Sequence, residues 1–200
     1  MDAVRLKDII QKEANAISRI PITEDYSKAV DLVFNAVCKN GGKVICSGMG
    51  KAGQVAHNLA TTLSSTGIIS YFLHPSEAQH GDLGIIHPND VLVVISNSGK
   101  TRELIELTEL SARLTGGNKI ICITGNENSP LHHRSDITLL TGNPAEVCPL
   151  GLTPTTSITV MTVICDLLVV GLMERTGFTA ADYALRHHSG YLGQKARNEI

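Results

Sequence analysis

Apolar positions near the start of the chain recur at helical spacing. Leu6, Ile9, Ile10, Ile17 and Ile20 fall on one broad stripe, and Pro21 ends the run. A second helix is predicted over residues 24–39, with Tyr26, Val30, Val33 and Val37 inward and Asn40-Gly41-Gly42 as its stop. The rhythm then changes. Short apolar runs, KVICS (43–47), IISYF (68–72), VLVVIS (91–96), KIICIT (119–124) and ITLL (137–140), alternate with helical stretches over 52–65, 102–115 and 130–134. Strands that are apolar on both faces and joined by helices predict a parallel sheet covered on both sides. A last stretch, 157–173, is nearly all apolar. Asp166, several Thr and its short length favour a helix in a protein core over a bilayer span. No segment reads as a linker, a repeat or low complexity, so residues 1–200 are expected to form one α/β domain, with the helices of 1–40 packing on its core.

Composition narrows the function. At 200 residues the chain can bury a core without disulfides or a structural metal, and 42% hydrophobic against 18% charged residues excludes a disordered chain. A net charge of -2 with no basic block argues against a nucleic-acid partner, and 4% aromatics without Trp argues against base-stacking platforms. The five cysteines are scattered and none forms a CxxC pair, so neither a zinc knuckle nor a disulfide framework is indicated. HxxxH and HExxH spacings are missing as well, so no metal site is expected. The first twenty residues lack an apolar signal core, and the expected compartment is the cytoplasm. A soluble enzyme or a small-molecule binding domain remains.

In parallel α/β sheets, ligands bind beyond the carboxyl ends of the strands. GMGKAG places Gly48, Gly50 and Gly53 between a strand and a helix. A dinucleotide fold would then want an acid at the end of the second strand, where Phe72-Leu73-His74 stand. Glycines for a tight turn, a small-ligand contact through Lys51, and nicotinamide binding stay open. SNSGKT is more informative: Ser96, Asn97, Ser98 and Thr101 surround a glycine at the start of a helix, and three hydroxyls exceed what one cap needs. Free amides and the positive end of the helix dipole suit a phosphate there. EAQHGDLG, with His80, and AEVCPLGLTPT, with Glu146, are loops dense in chemistry-bearing residues. Taken singly, His80 or Glu146 reads as solvated surface, Cys148 as a packed small residue, and His187-His188 as a surface pair.

Together, GMGKAG, HPSEAQHGDLG, SNSGKTRE, ICITG, AEVCPLGLTPT and GFTAADYALRHHSGYLG resemble, in this order, the sugar isomerase (SIS) domain of D-arabinose-5-phosphate isomerases. The resemblance covers nearly the whole chain. It implies a five-stranded parallel sheet sandwiched by helices, flavodoxin-like and doubly wound. It implies interconversion of D-arabinose 5-phosphate and D-ribulose 5-phosphate through an enediol, supplying Kdo for lipopolysaccharide or capsule, with no cofactor. By motif position the catalytic set falls on Lys51, His80, Glu103, Glu146 and His187, and the phosphate-binding set on Ser96, Asn97, Ser98 and Thr101, with Ser47 and Gly48 lining the same pocket. Glu146 is the candidate base and His187 the candidate acid or base for ring opening; Lys51, His80 and Glu103 orient or stabilise charge. Lys100 stands where relatives often carry an acid, and His187-His188-Ser189-Gly190 replaces their HPGG. Many relatives continue into a pair of CBS domains, which this sequence does not contain. A homotetramer is expected, with His187 completing a neighbour's site and CMP-Kdo as a feedback ligand at the sugar pocket. Isomerisation of another phosphosugar, and a non-catalytic phosphosugar sensor, are the alternatives.

Overall fold

The computed structural model describes residues 2–199, and the apolar runs form five strands among them. These are β1 (Val44–Gly48), β2 (Ser70–Phe72), β3 (Val91–Ile95), β4 (Lys119–Thr124) and β5 (Ile137–Leu140). All pairs are parallel, in the order β2-β1-β3-β4-β5. Val44 sits opposite both Ser70 and Val91, Val91 opposite Lys119, and Ile121 opposite Ile137. This is the doubly wound order the resemblance implies, with its switch point between β1 and β3.

Alternate residues of each inner strand feed two cores. Val44, Cys46, Val93, Ile95, Ile121 and Ile123 face α2 (Asp25–Phe34), α3 (Gly50–Ser65) and α7 (Thr156–Thr176), through Val33, Leu59, Ile164 and Leu168. Ile45, Leu92, Val94 and Cys122 face α4 (Pro75–Ala78), α5 (Arg102–Thr115) and α6 (Pro130–Arg134), through Ala78, Leu104, Leu107 and Leu131. Both faces are covered, as runs without polar alternation require. Gly171 of α7 lets α2 approach closely, because a Cβ there would stand 2.8 Å from Val30 Cγ2. By length and composition α7 could cross a bilayer, but half of its most apolar stretch is buried inside this fold.

Three expectations shift. The second helix ends at Phe34 and continues as a π-turn over Asn35–Lys39, so Val37 packs from a widened turn. The second strand begins at Ser70 rather than residue 68, since this outer strand pairs only with β1, and Tyr71 is exposed. The apolar stripe of α1 (Ala3–Ser18) packs only toward its end: Leu6 and Ile10 are exposed and Ile9 half-buried, while Ile17 lies against the core and Ile20, just past the helix, is buried.

At the amino-terminal ends of the strands, one device recurs. Buried Asp90 accepts hydrogen bonds from Lys43 N (2.9 Å), Lys43 Nζ (2.6 Å) and His87 N (2.7 Å), tying the starts of β1 and β3. Asp136 does the same for β4, accepting from Lys119 Nζ (2.6 Å) and Ile120 N (2.8 Å). The carboxyl ends are left free for a site.

Candidate active site

Beyond the carboxyl ends of β1 and β3 lies a cleft of about 670 Å³. Met49 and Lys51 line it after β1, Ser96, Asn97, Ser98 and Thr101 after β3, and Asn143–Glu146, Gly151 and Leu152 from the loop before α7. Ser157, Ile158 and Met161 of α7 close the apolar side. An open sheet is expected to hold its ligand at this switch point.

The β3–α5 turn is rich in hydroxyls and is held by its own hydrogen bonds. Ser96 Oγ and Thr101 Oγ1 share a hydrogen bond of 2.8 Å, and Gly99 N donates to Ser96 Oγ at 3.2 Å, so the turn folds back on itself. Gly99 has φ +63°, and a Cβ there would stand 2.1 Å from Ser129 Oγ, so no other residue fits. Ser98 is exposed, with its Oγ accepting from Lys100 N at 3.2 Å. The N-cap of α5 is Thr101, not Ser98, and it makes no capping bond, which leaves the first-turn amides and the dipole of a fourteen-residue helix open toward the cleft.

Glu146 faces this turn from the other wall. Its Oε2 accepts from Thr155 N (2.7 Å), Thr155 Oγ1 (2.9 Å) and Ser157 N (3.3 Å), and its Oε1 accepts from Ser157 Oγ. Burial pushes the carboxyl up, but these donors, led by the Ser157 hydroxyl, outweigh it and hold the group below the usual carboxylate range. Glu146 is therefore a fixed anion at neutral pH. Thr155 and Ser157 were not singled out as site residues, although hydroxyl residues just before an apolar run are a helix-start signal that points to them.

The remaining sequence-predicted residues lie elsewhere. Ser47 is fully buried and donates from Oγ to Leu73 O at 2.7 Å, holding β1 to the residue after β2 rather than lining the cleft. Gly48 is also internal: a Cβ would stand 2.8 Å from Ala52 O, and one on Gly53 would stand 2.6 Å from Gly48 O. These two glycines serve the approach of α3 to β1, and Gly50 (φ +56°) serves the turn, while Lys51 lines the cleft. His80 is exposed beside the 3₁₀ turn Asp82–Ile85, and Glu103 is half-buried in the first turn of α5; neither lines the cleft. His187 follows α8 (Ala180–Arg186), stacked on Tyr183 at 3.7 Å. Neighbouring Arg186 lies against Gly67, at the amino-terminal end of the sheet, so within one chain His187 stands away from Glu146. Lys100 and His188 are exposed. Among the described residues no group of three His, Cys, Asp or Glu could hold a metal ion.

A 2-1-3-4-5 parallel sheet with a hydroxyl-rich helix start at its switch point defines a doubly wound α/β protein suited to small phosphorylated ligands. The chain belongs to the SIS domain family, whose profile matches residues 37–171. A Bacteroides fragilis NCTC 9343 protein provisionally described as a phosphosugar isomerase involved in capsule formation is 60% identical, with a TM-score of 0.91 over 93% of this chain and 97% of its own. An Escherichia coli CFT073 protein solved in complex with arabinose 5-phosphate is 33% identical, with a TM-score of 0.85 over 94% of this chain and 100% of its own. Among curated proteins, the arabinose 5-phosphate isomerase KdsD of Salmonella typhi is 41% identical over 94% of this chain. The chain spans 56% of that relative's length.

Proposed function

We propose that the chain is an aldose–ketose isomerase that interconverts D-arabinose 5-phosphate and D-ribulose 5-phosphate, needs no cofactor, works in the cytoplasm and supplies Kdo for capsule or lipopolysaccharide. The observation that carries the reading is the single cleft lined together by a hydroxyl-rich helix start, the ionised Glu146 and Lys51 from the first turn of α3. The phosphate sits on Ser98, Thr101 and the amides of α5, which places the sugar carbons toward Glu146. Isomerisation moves a proton between adjacent carbons, and a positioned carboxylate can carry it. When the sugar binds, the Thr155 and Ser157 hydroxyls can turn from Glu146 to the substrate, and each bond lost raises the carboxylate's proton affinity. Lys51 balances charge on the enediolate. The test is direct: formation of ribulose 5-phosphate from arabinose 5-phosphate, beside a panel of other aldose and ketose phosphates. Turnover of a different phosphosugar alone, or of none, overturns the assignment.

Changing Ser98 and Thr101 to Ala is expected to raise KM, each lost bond to a charged phosphate being worth roughly 1.5–3 kcal/mol. Inorganic phosphate is expected to compete in the wild type. Unchanged KM in both variants would remove this turn from the site.

Ring opening requires a further acid or base, and we assign it to His187 of a neighbouring subunit in a homotetramer, with His80 and Glu103 near the same junction. The exposed Leu6 and Ile10 of α1 and Leu167 and Val170 of α7 supply apolar surface for such contacts. Mixing Glu146→Gln and His187→Ala subunits, each inactive alone, is then expected to restore part of the activity. Exchange of subunits without recovery would mean that each site is built within one chain.

CMP-Kdo, with a carboxylate and a phosphodiester, suits the same cleft. It is expected to compete with arabinose 5-phosphate and to raise the melting temperature as its concentration rises. Neither effect appearing would end the feedback proposal and leave the isomerase assignment standing.

A further inference from the structure

A second cleft of about 590 Å³ lies on the far side of the loop that carries Glu146, between that loop and α1. On the α1 side stand Arg5 and Lys12 of the helix and Arg19, its C-cap, at a spacing of seven that places them on one side. Successive members stand about 10 Å apart along the axis at the usual rise per residue. Asp8 bridges the first two, at 2.6 Å from Arg5 Nη1 and 3.0 Å from Lys12 Nζ. Arg19 has no carboxylate partner among the described residues. The row therefore keeps a positive excess in a chain whose net charge is -2. Glu146, itself an anion on the shared wall, offsets one more charge, so three cations stand against two carboxylates and an excess of one remains.

One lining residue is both polar and buried. Thr141 is 1% exposed, and its Oγ1 accepts from Asn143 N at 3.2 Å, leaving its own hydroxyl hydrogen without an acceptor among the described residues. The wall is shared: Asn143, Pro144, Ala145 and Glu146 line both this cleft and the sugar cleft. Gly142 and Asn143 are consecutive left-handed residues, φ +73° and +50°, and the second is strained for a residue with a side chain. Gly142 also rests on α1's end, since a Cβ there would stand 3.3 Å from Arg19 O.

We propose that this cleft is a second anion site, for a small molecule carrying two phosphate or carboxylate groups about 10 Å apart, and that its occupancy is felt at Glu146 through the shared wall. The size and concavity suit a small ligand rather than a protein surface. Binding stands on this geometry alone; the coupling rests on the isomerase reading.

Cys148 lines the cleft and reports on it. It is half-buried, while Cys38 is exposed and Cys46, Cys122 and Cys165 are buried. Iodoacetamide labelling, resolved by mass, would be followed with hexane-1,6-diyl bisphosphate as the probe. Labelling of Cys148 is expected to slow about tenfold when roughly nine sites in ten are occupied, with Cys38 unaffected. Lys12→Ala/Arg19→Ala should lose the protection, and Ser98→Ala/Thr101→Ala should keep it. Lys12→Gln/Arg19→Gln, which keeps most of the side-chain length, should behave like the Ala pair. No protection in the wild type, or protection that survives loss of Lys12 and Arg19 but fails without Ser98 and Thr101, overturns the site. Protection that follows protein concentration instead of the probe assigns the cleft to a second copy and also overturns it. In the Ser98→Ala/Thr101→Ala background, the probe should change kcat/KM for arabinose 5-phosphate, and adding Lys12→Ala/Arg19→Ala should abolish the change; binding with no such change overturns the coupling. If arabinose 5-phosphate is not a substrate, the labelling still decides the site.

Discussion

Glu146→Gln is expected to lower kcat for arabinose 5-phosphate by about a hundredfold or more, with KM close to that of the wild type. The amide can keep the fold. Its oxygen can take the place of Oε2 and the bonds from Thr155 N, Thr155 Oγ1 and Ser157 N, while its nitrogen donates to the Ser157 hydroxyl, which can accept as well as donate. What the variant lacks is the negative charge and the ability to take up a proton. Steady-state kinetics beside a melting curve separates the roles: near-normal turnover would leave Glu146 as an anchor for the start of α7 only. The charge also has a signature in stability. Its folded-state proton affinity is lowered, so its contribution is fully present above the ordinary carboxylate range and is lost as pH falls through the lower folded value. The difference in melting temperature between wild type and variant should therefore shrink in acid and persist at neutral pH.

Asp90→Ala is expected to be the most damaging single change to stability. The carboxylate is 1% exposed by side chain and Lys43 is 17% exposed, so removing one leaves a largely buried ammonium and two strand-start amides without their acceptor. Breaking a buried pair from one side costs about 3–5 kcal/mol. For a domain of this size that is a fall of roughly 10 °C in melting temperature. Lys43→Met/Asp90→Ala should recover part of the loss, because the uncompensated charge is gone. A cost below about 1 kcal/mol by denaturant titration would mean that water reaches the site freely. Since Asp90 lies at the end of the sheet opposite the cleft, kcat at low temperature should be nearly unchanged.

Much of the fold was legible because it rests on short-range rules. β3 and β4 are apolar at every inner position and bounded by Asn, Asp, Gly and Ser, so they could be neither helix nor surface. The β3–α5 turn announced itself as a candidate anion site through a glycine flanked by hydroxyls at a helix start, chemistry contained in six consecutive residues, and the structure adds that this glycine is left-handed. The role of Gly48 and Gly53 was not legible: the motif left a tight turn and a ligand contact both open, and only the structure shows backbone where a Cβ would stand. Periodicity could not say that Ile68 would be buried and Ile69 exposed just before an outer strand, because that depends on which strands exist on either side.

Motifs alone also could not sort the site. Ser47 and Ser96 both stand at the end or just beyond an inner strand and look alike in sequence, yet one hydroxyl is spent on Leu73 and the other belongs to the cleft. Glu146 and Ser98 are far apart in the chain and meet only because β5 and α7 return the loop between them to the switch point. His187 is the converse case: its motif places it with Glu146, and the fold of one chain places it against Tyr183. Residue type and periodicity determine which elements form and which positions can hold an anion, since these depend on neighbours a few bonds away. Which side chains converge, and on which side of a shared wall a row of cations faces, is decided by how distant elements pack, and no local pattern encodes that.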